Sequence, residues 1–280
     1  MRLGVHVSIA GKIYEAVDRA KALNCECMQI FSRNPRGWQA AKLDKADVEE
    51  FKKRRKEAGI TPLVVHIPYL INLASPEDRL YEKSIQAYLE DIRRADLLSA
   101  EYFVTHLGSH KGKGRDLGID RFARALDKII KELKPKVKIL LENTSGSGNW
   151  LGGDFEDIAE IMTKSHQKDK LGLCFDTCHA YAAGYDIKNK KGLDETLKKI
   201  DKLIGIKKLK LIHINDSKGD LGSHLDRHQH IGKGKIGRDG FKLILHHPKL
   251  RDLPYVLETP KEDVKSDPMN LKTVRSIYEG

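Results

Sequence analysis

No apolar run in this 280-residue chain approaches the roughly 20 residues needed to cross a bilayer, which argues against a membrane-spanning helix. The opening MRLGVHVS has no apolar signal-peptide core and enters a strand-like segment at once, so a cytoplasmic location is expected. Cysteine is scarce. Four residues in a chain of this length make no disulfide framework, and Cys25 and Cys27 form a C-x-C too tight for the usual C-x-x-C metal knuckle. Reduced thiols are expected, with Cys178 a small packing residue. There is no linker rich in Pro, Gly or Ser, no repeat of fixed period and no low-complexity tract, so residues 1–280 read as one domain. Glutamine is also sparse beside a 32% charged content rich in Lys and Glu, a balance expected of a thermophilic source. A thermal midpoint at about 45–65 °C would remove that expectation.

What is present in excess is positive charge. A net charge of +11 and a pI near 9.3 favour a polyanionic partner. The densest runs, FKKRRKE (51–57) and KNKK (188–191), read as solvated helix faces and loops.

Short apolar runs alternate with longer amphipathic stretches. Strands are predicted at 3–7, 28–31, 63–67, 102–108, 138–143, 171–176, 208–215 and 255–260, with helices near 13–23, 45–57, 79–98, 120–133, 155–163 and 193–204. The strand segments are continuously apolar, as in parallel sheets buried on both faces. Eight such runs, each followed by a helix or long loop, predict an α/β fold: a single (β/α)8 TIM barrel with its active site at the C-terminal rim of the strands.

Polar residues fall where that rim would be. His66, His106, Glu142, Asp176, His213 and Glu258 close six successive strands, and His179 follows Asp176 by three. The polar, glycine-dotted segment 213–228 reads as a long loop that starts with His213 and ends in Asp226 and His228, whose two-residue spacing points both side chains one way in an extended segment. Nine imidazoles and carboxylates exceed what one tetrahedral ion can use, whereas three ions sharing carboxylates would use them all. His110, His166, His224, His246 and His247 read as surface residues. His6 and His230 lie near the bowl but are not read as ligands.

The segments GVHVSIAGK (4–12), IFSRNPRGW (30–38), HIPYLINLAS (66–75), VTHLGSH (104–110), LLENTSGSGNWLGGDFE (140–156), CFDTCHAYAAGYD (174–186), HINDSKGDLGSHLDRHQHIGKGKIG (213–237) and LETP (257–260) together resemble endonuclease IV, the metal-dependent apurinic/apyrimidinic (AP) endonuclease family of base-excision repair. The resemblance implies a trinuclear, usually zinc, site. His66 and His106 would hold one ion, Glu142 would bridge to a second completed by Asp176, His213 and Glu258, and His179, Asp226 and His228 would hold the third. It also implies contacts to DNA from Arg36 and Tyr69. On the loops after the second and third strands, Arg36, Tyr69 and Leu70 read as a wedge for the gap in a duplex, with ordinary loop packing the alternative for Tyr69 and Leu70, and Arg227 reads as a phosphate contact. Two positions depart from the family pattern. Pro68 stands where a small residue is common, and Gly37 where a DNA-penetrating glutamine is common.

Closely spaced ions would bring a bound water towards neutral pKa and neutralise charge on a phosphodiester. The expected reaction is hydrolysis 5′ to an abasic site in double-stranded DNA, with Glu142 and Glu258 as the catalytic carboxylates and removal of 3′-blocking groups as a side activity. Zn2+ is expected, Mn2+ is compatible with the same donors, and a monomer suits docking on a duplex. A metal-dependent sugar isomerase or epimerase on the same barrel is the competing enzyme. A DNA-binding protein with a purely structural metal is the competing binder, although such sites are usually cysteine-rich.

Overall fold

The computed structural model describes residues 1–280. In chain order the elements are β1 (Arg2–Val5), α1 (Glu15–Ala22), β2 (Met28–Phe31), α2 (Lys45–Ala58), β3 (Leu63–His66), α3 (Asp78–Leu97), β4 (Tyr102–Thr105), α4 (Arg115–Leu133), β5 (Lys138–Glu142), α5 (Phe155–Lys164), β6 (Leu171–Asp176), α6 (Thr177–Ala182), α7 (Lys190–Leu203), β7 (Leu209–His213), β8 (Asp216–Ser217), β9 (His228–Gln229), α8 (Gly237–His246), β10 (Pro254–Leu257) and α9 (Ser266–Glu279). Eight strands pair in parallel in the order β1-β10-β7-β6-β5-β4-β3-β2. The bridge between His6 and Gln29, with Val7 N–H donating to Gln29 O at 2.8 Å, joins the two ends and completes the barrel. No helix is long and apolar enough to cross a membrane.

The longer helices bury one stripe each, whereas α6 is buried on all sides. In α4 Ile119, Phe122, Leu126, Ile129 and Ile130 recur at helical spacing and are buried. Local signals bound some of the helices: the Asp44 carboxylate accepts from Ala46 and Asp47 N–H at the start of α2, and Gly59, at φ +65°, ends it in the left-handed conformation.

A separate apolar plug fills the barrel. Cys27, Val64, Val104, Leu140, Cys174, Leu211 and Val256 form a buried cluster of their own, and β1 contributes Gly4, where a Cβ would collide with Cys27 O. Side chains alternate along a strand, so the residue two positions on faces inward one layer higher. Applied to the plug, that rule yields His6, Gln29, His66, His106, Glu142, Asp176, His213 and Glu258. Eight polar side chains therefore sit on the apolar plug, one per strand, at the C-terminal end where barrels build their sites.

Several expectations needed correction. His106 and Glu258 lie one residue past β4 and β10 rather than within them. The segment 213–228 is not all loop: Asp216 and Ser217 pair antiparallel with Gln229 and His228. Asp216 anchors that hairpin, accepting from the N–H groups of Ser217, Gly232, Gly234 and Ile236 at 2.8–3.0 Å. Helices α6, α8 and α9 were not foreseen. The first is too short for a periodic pattern, and the start of α8 is masked by Gly237 and Gly240.

Candidate metal centre

All nine candidate ligands converge in one bowl. They form three groups, His66–His106–Glu142, Glu142–Asp176–His213–Glu258 and His179–Asp226–His228, within each of which the ligand atoms lie within 4.8 Å of one another. Glu142 belongs to two of them. Its carboxylate, with no exposed surface, has Oε2 3.1 Å from His106 Nε2 and 3.3 Å from His66 Nε2, and Oε1 2.8 Å from His213 Nδ1. His179 Nε2 approaches Asp226 Oδ1 at 3.2 Å, and His228 Nε2 approaches it at 3.6 Å.

The fit to cations follows from how the imidazoles are held. His66, His179 and His228 each direct Nδ1 at a backbone carbonyl, those of Ile67 (2.7 Å), Asn143 (2.9 Å) and Glu258 (2.9 Å). A carbonyl only accepts, so Nδ1 carries the proton and Nε2 offers a lone pair to the bowl. His213 is turned the other way: Nε2 donates to Gln29 Oε1 at 2.8 Å, and Nδ1 faces the Glu142 and Glu258 carboxylates. Lone pairs facing carboxylates across about 3 Å repel unless a proton or a cation lies between them. His228 Nε2 is buried without any hydrogen-bond partner. Outer nitrogens fixed on acceptors and inner lone pairs facing carboxylates are the usual support of a metal site.

The charges answer one another. Burial pushes the Glu142 carboxyl up, but His213 and His106 beside it outweigh burial and hold it well below the usual range. Burial likewise opposes ionisation of Asp226, and His179 overrides it to bring Asp226 down to about 2. Two further groupings would substitute Cys174 or Cys178. Burial raises the Cys174 thiol to about 12 and the Cys178 thiol higher; Cys174 packs in the apolar plug, and Cys178 Sγ lies 3.6 Å from the Arg227 carbonyl.

Three supporting residues had no sequence signal beyond their parity or position. Gln29, fully buried in β2, donates to Glu258 Oε1 at 2.6 Å while accepting from His213. Asn215 donates to Asp176 Oδ2 at 2.7 Å and accepts from Glu258 N–H at 2.8 Å. Asn143 pairs twice with the Asp176 backbone. Gln29→Leu is expected to weaken metal retention about 10- to 100-fold with the fold intact, read by metal content against a competing chelator. Retention unchanged would show that Gln29 orients nothing.

The bowl has a volume of about 650 Å³, and Arg36, Tyr69 and Lys261 are among the residues lining it. Tyr69 is 62% exposed and Leu70 36%, and the Tyr69 ring meets Phe31 edge-on with centroids 5.5 Å apart. Leu70 and Arg227 are on the surface outside the lining of the bowl. His6 lines the bowl with Nδ1 2.9 Å from Gln29 Nε2. A Cβ at Gly37 would meet nothing closer than Gln39 O at 3.9 Å, so packing does not exclude a side chain there. His230 is buried against Asn270, away from the ligand groups. His110, expected at the surface, has a buried Nδ1 with no partner.

Residues 17–277 match the family model described as a xylose isomerase-like TIM barrel. A protein of Methanosphaerula palustris named "Probable endonuclease 4" is 47% identical over 280 residues, covering 99% of this chain and 98% of its own length. The crystal structure of endonuclease IV from Thermus thermophilus superposes with a TM-score of 0.89 at 37% identity, covering 100% of this chain and 99% of that one. A D-tagatose 3-epimerase-like protein shares the fold at 21% identity, with a TM-score of 0.77 over 100% of this chain and 97% of its own. Its identity to this chain is well below that of the endonucleases. The chain belongs to the endonuclease IV family of the xylose isomerase-like TIM barrels.

Proposed function

We propose that this protein is a deoxyribonuclease of DNA repair that hydrolyses the phosphodiester 5′ to an abasic site in duplex DNA, leaving a 3′-hydroxyl and a 5′-deoxyribose phosphate. One observation carries the reading: three groups of imidazole lone pairs and carboxylates lie in a bowl edged by Arg36 and Lys261. A single-ion sugar epimerase has no use for the third group, His179–Asp226–His228.

Three divalent ions suit the nine donors, with Zn2+ the first choice and Mn2+ accepted by the same ligand types. Bound there, they supply Lewis acidity to the phosphodiester, its leaving oxygen and the attacking water. Four carboxylates leave three such ions a positive surplus, which suits a phosphodiester anion. The protein's own part is positioning. Glu142 and Glu258 hold the floor of the bowl and orient the groups around them, and Glu258 is itself fixed by Gln29 and Asn215. Arg36 and Lys261 meet phosphates at the mouth, and Arg227 meets them further out. Tyr69 and Leu70 wedge into the gap left by the missing base. A nucleotide without its base leaves the stack at lower cost than a paired one, which favours damaged sites. The same centre hydrolyses 3′-blocking phosphodiesters, and the protein acts as a monomer.

The test is cleavage of a labelled duplex carrying one tetrahydrofuran abasic analogue, before chelation, after it, and after Zn2+ or Mn2+ is restored. The analogue cannot undergo β-elimination, so a nick ending in an extendable 3′-hydroxyl is hydrolytic. Absence of cleavage by fully loaded protein would end the reading. Binding is also expected to weaken steeply with salt, by about 0.9 in log K per log unit of salt for each phosphate neutralised. A flat dependence between 50 and 200 mM, on the order of the range where such contacts are lost, would exclude a phosphate-tracking interface.

A further inference from the structure

Trp150 is an indole left on the surface. It is 41% exposed, yet its backbone is tied to the loop after β4. The SGSGNWLGG turn leaves β5 with Gly146, Gly148 and Gly152 at φ +69°, +57° and +92°. Trp150 bridges antiparallel to Ser109, His110 N–H donates to Asn149 O at 3.1 Å, and Leu151 N–H donates to Gly108 O at 2.9 Å. The β5 loop is thus stapled to the loop after β4, which carries His106. The Trp150 ring lies edge-on to His106, with centroids 6.3 Å apart, and Tyr69 reaches the same imidazole at 6.3 Å. An exposed apolar residue standing alone is ordinary. A rigidly held indole against a candidate ligand, bordering a second cleft of about 210 Å³, is better explained by a task.

We infer that Trp150 is a stacking platform for a nucleobase adjacent to the abasic nucleotide, which it seats beside the bowl. The inference rests on the endonuclease reading above. Aromatic stacking tolerates any base, because every base has a π-face. That tolerance suits an enzyme whose lesion can have any neighbour, and it complements hydrogen bonds and charges that read only the backbone. Tyr69, on the loop after β3, acts at the gap in the duplex, while Trp150 holds an intact neighbour in register.

The experiment uses the metal-loaded full chain in a Trp38→Phe background. Trp38 is half-buried under Lys83, at 4.2 Å, and its replacement leaves Trp150 as the sole indole. Titration with a duplex whose abasic analogue carries an uncleavable methylphosphonate on its 5′ side is expected to quench Trp150 emission saturably. On the cleavable duplex, Trp150→Ala is expected to raise KM about 5- to 100-fold, the range for losing one base–aromatic stack, with kcat less affected. Trp150→Phe is expected to recover most of that loss. Emission unchanged at saturating DNA, or a KM for Trp150→Ala within about twofold of the parent, would overturn the proposal. A fall in kcat alone would also overturn it, making Trp150 a support for His106. If the parent chain itself neither bound nor cut the damaged duplex, the endonuclease reading would fall instead.

Discussion

Glu142→Gln is expected to lower turnover of an abasic-site duplex by about 10²- to 10³-fold or more, the loss typical of removing one charge-stabilising group from a preorganised site. The exchange keeps side-chain size and leaves β5 and the apolar plug beneath it undisturbed, so a thermal midpoint near that of the parent is part of the expectation. What changes is charge and donor pattern. The carboxylate faces His66, His106 and His213 at 2.8–3.3 Å and belongs to two of the three ligand groups. An amide offers one oxygen for two groups, and its NH2 would meet an imidazole lone pair or occupy the space a cation would take. Metal content should therefore fall together with rate, which distinguishes loss of the centre from loss of a proton-transfer group alone. Near-native turnover, within about threefold, an amount far below the effect of losing a site charge, would mean that Glu142 is not the hub of the site.

Much of this was legible in the chain because a parallel barrel makes its strands apolar throughout and ends them at one rim. His66, Glu142, Asp176 and His213 could be located by strand ends alone, since a polar residue closing an apolar run is conspicuous. Gln29 was not, because it lies inside MQIF, where type and burial point in opposite directions and the pairing register shows it as an inward spoke. Counting two residues on from the apolar plug would have found both Gln29 and His6. Asn143 and Asn215 are a different case. Each follows a strand end, where a polar residue is unremarkable, and their work is to fix Asp176 and Glu258 across the barrel. The pairing of Asp216 and Ser217 with His228 and Gln229 spans a two-residue ladder too short to carry any pattern. The helix α9 was missed for a local reason: Pro268 in its first turn reads as a breaker, although proline is tolerated there.

Asp91→Ala is expected to cost about 3–5 kcal/mol of stability, lowering the thermal midpoint by about 6–20 °C at the entropy of unfolding typical of a chain this size. The residue lies on the buried face of α3 with no exposed surface, and Arg33 grips it side-on, Nε to Oδ1 at 2.7 Å and Nη2 to Oδ2 at 2.9 Å. Burial outweighs Arg33 and leaves the Asp91 carboxyl above its usual value, so the pair is costly to hold as ions. Removing one partner is worse than removing both, because it leaves a guanidinium in the interior without its counter-charge. The Asp91→Leu, Arg33→Leu double variant is accordingly expected to regain part of what either single variant loses, which a double-mutant cycle measures. Under the proposed function, the pair acts through the loop it suspends. Arg33 also donates to Gly37 O, and Arg94, buried beside it, donates to Ser32 O and to Ala41 O. Two guanidiniums rooted against α3 thus define the path of residues 32–41, the segment that presents Pro35 and Arg36 to the bowl. A destabilised but folded Asp91 variant should therefore bind the damaged duplex more weakly at temperatures well below its midpoint. A midpoint within about 2 °C of the parent, less than the shift expected from 1 kcal/mol, would show that Arg33 finds another acceptor or water and that the loop is held by other means.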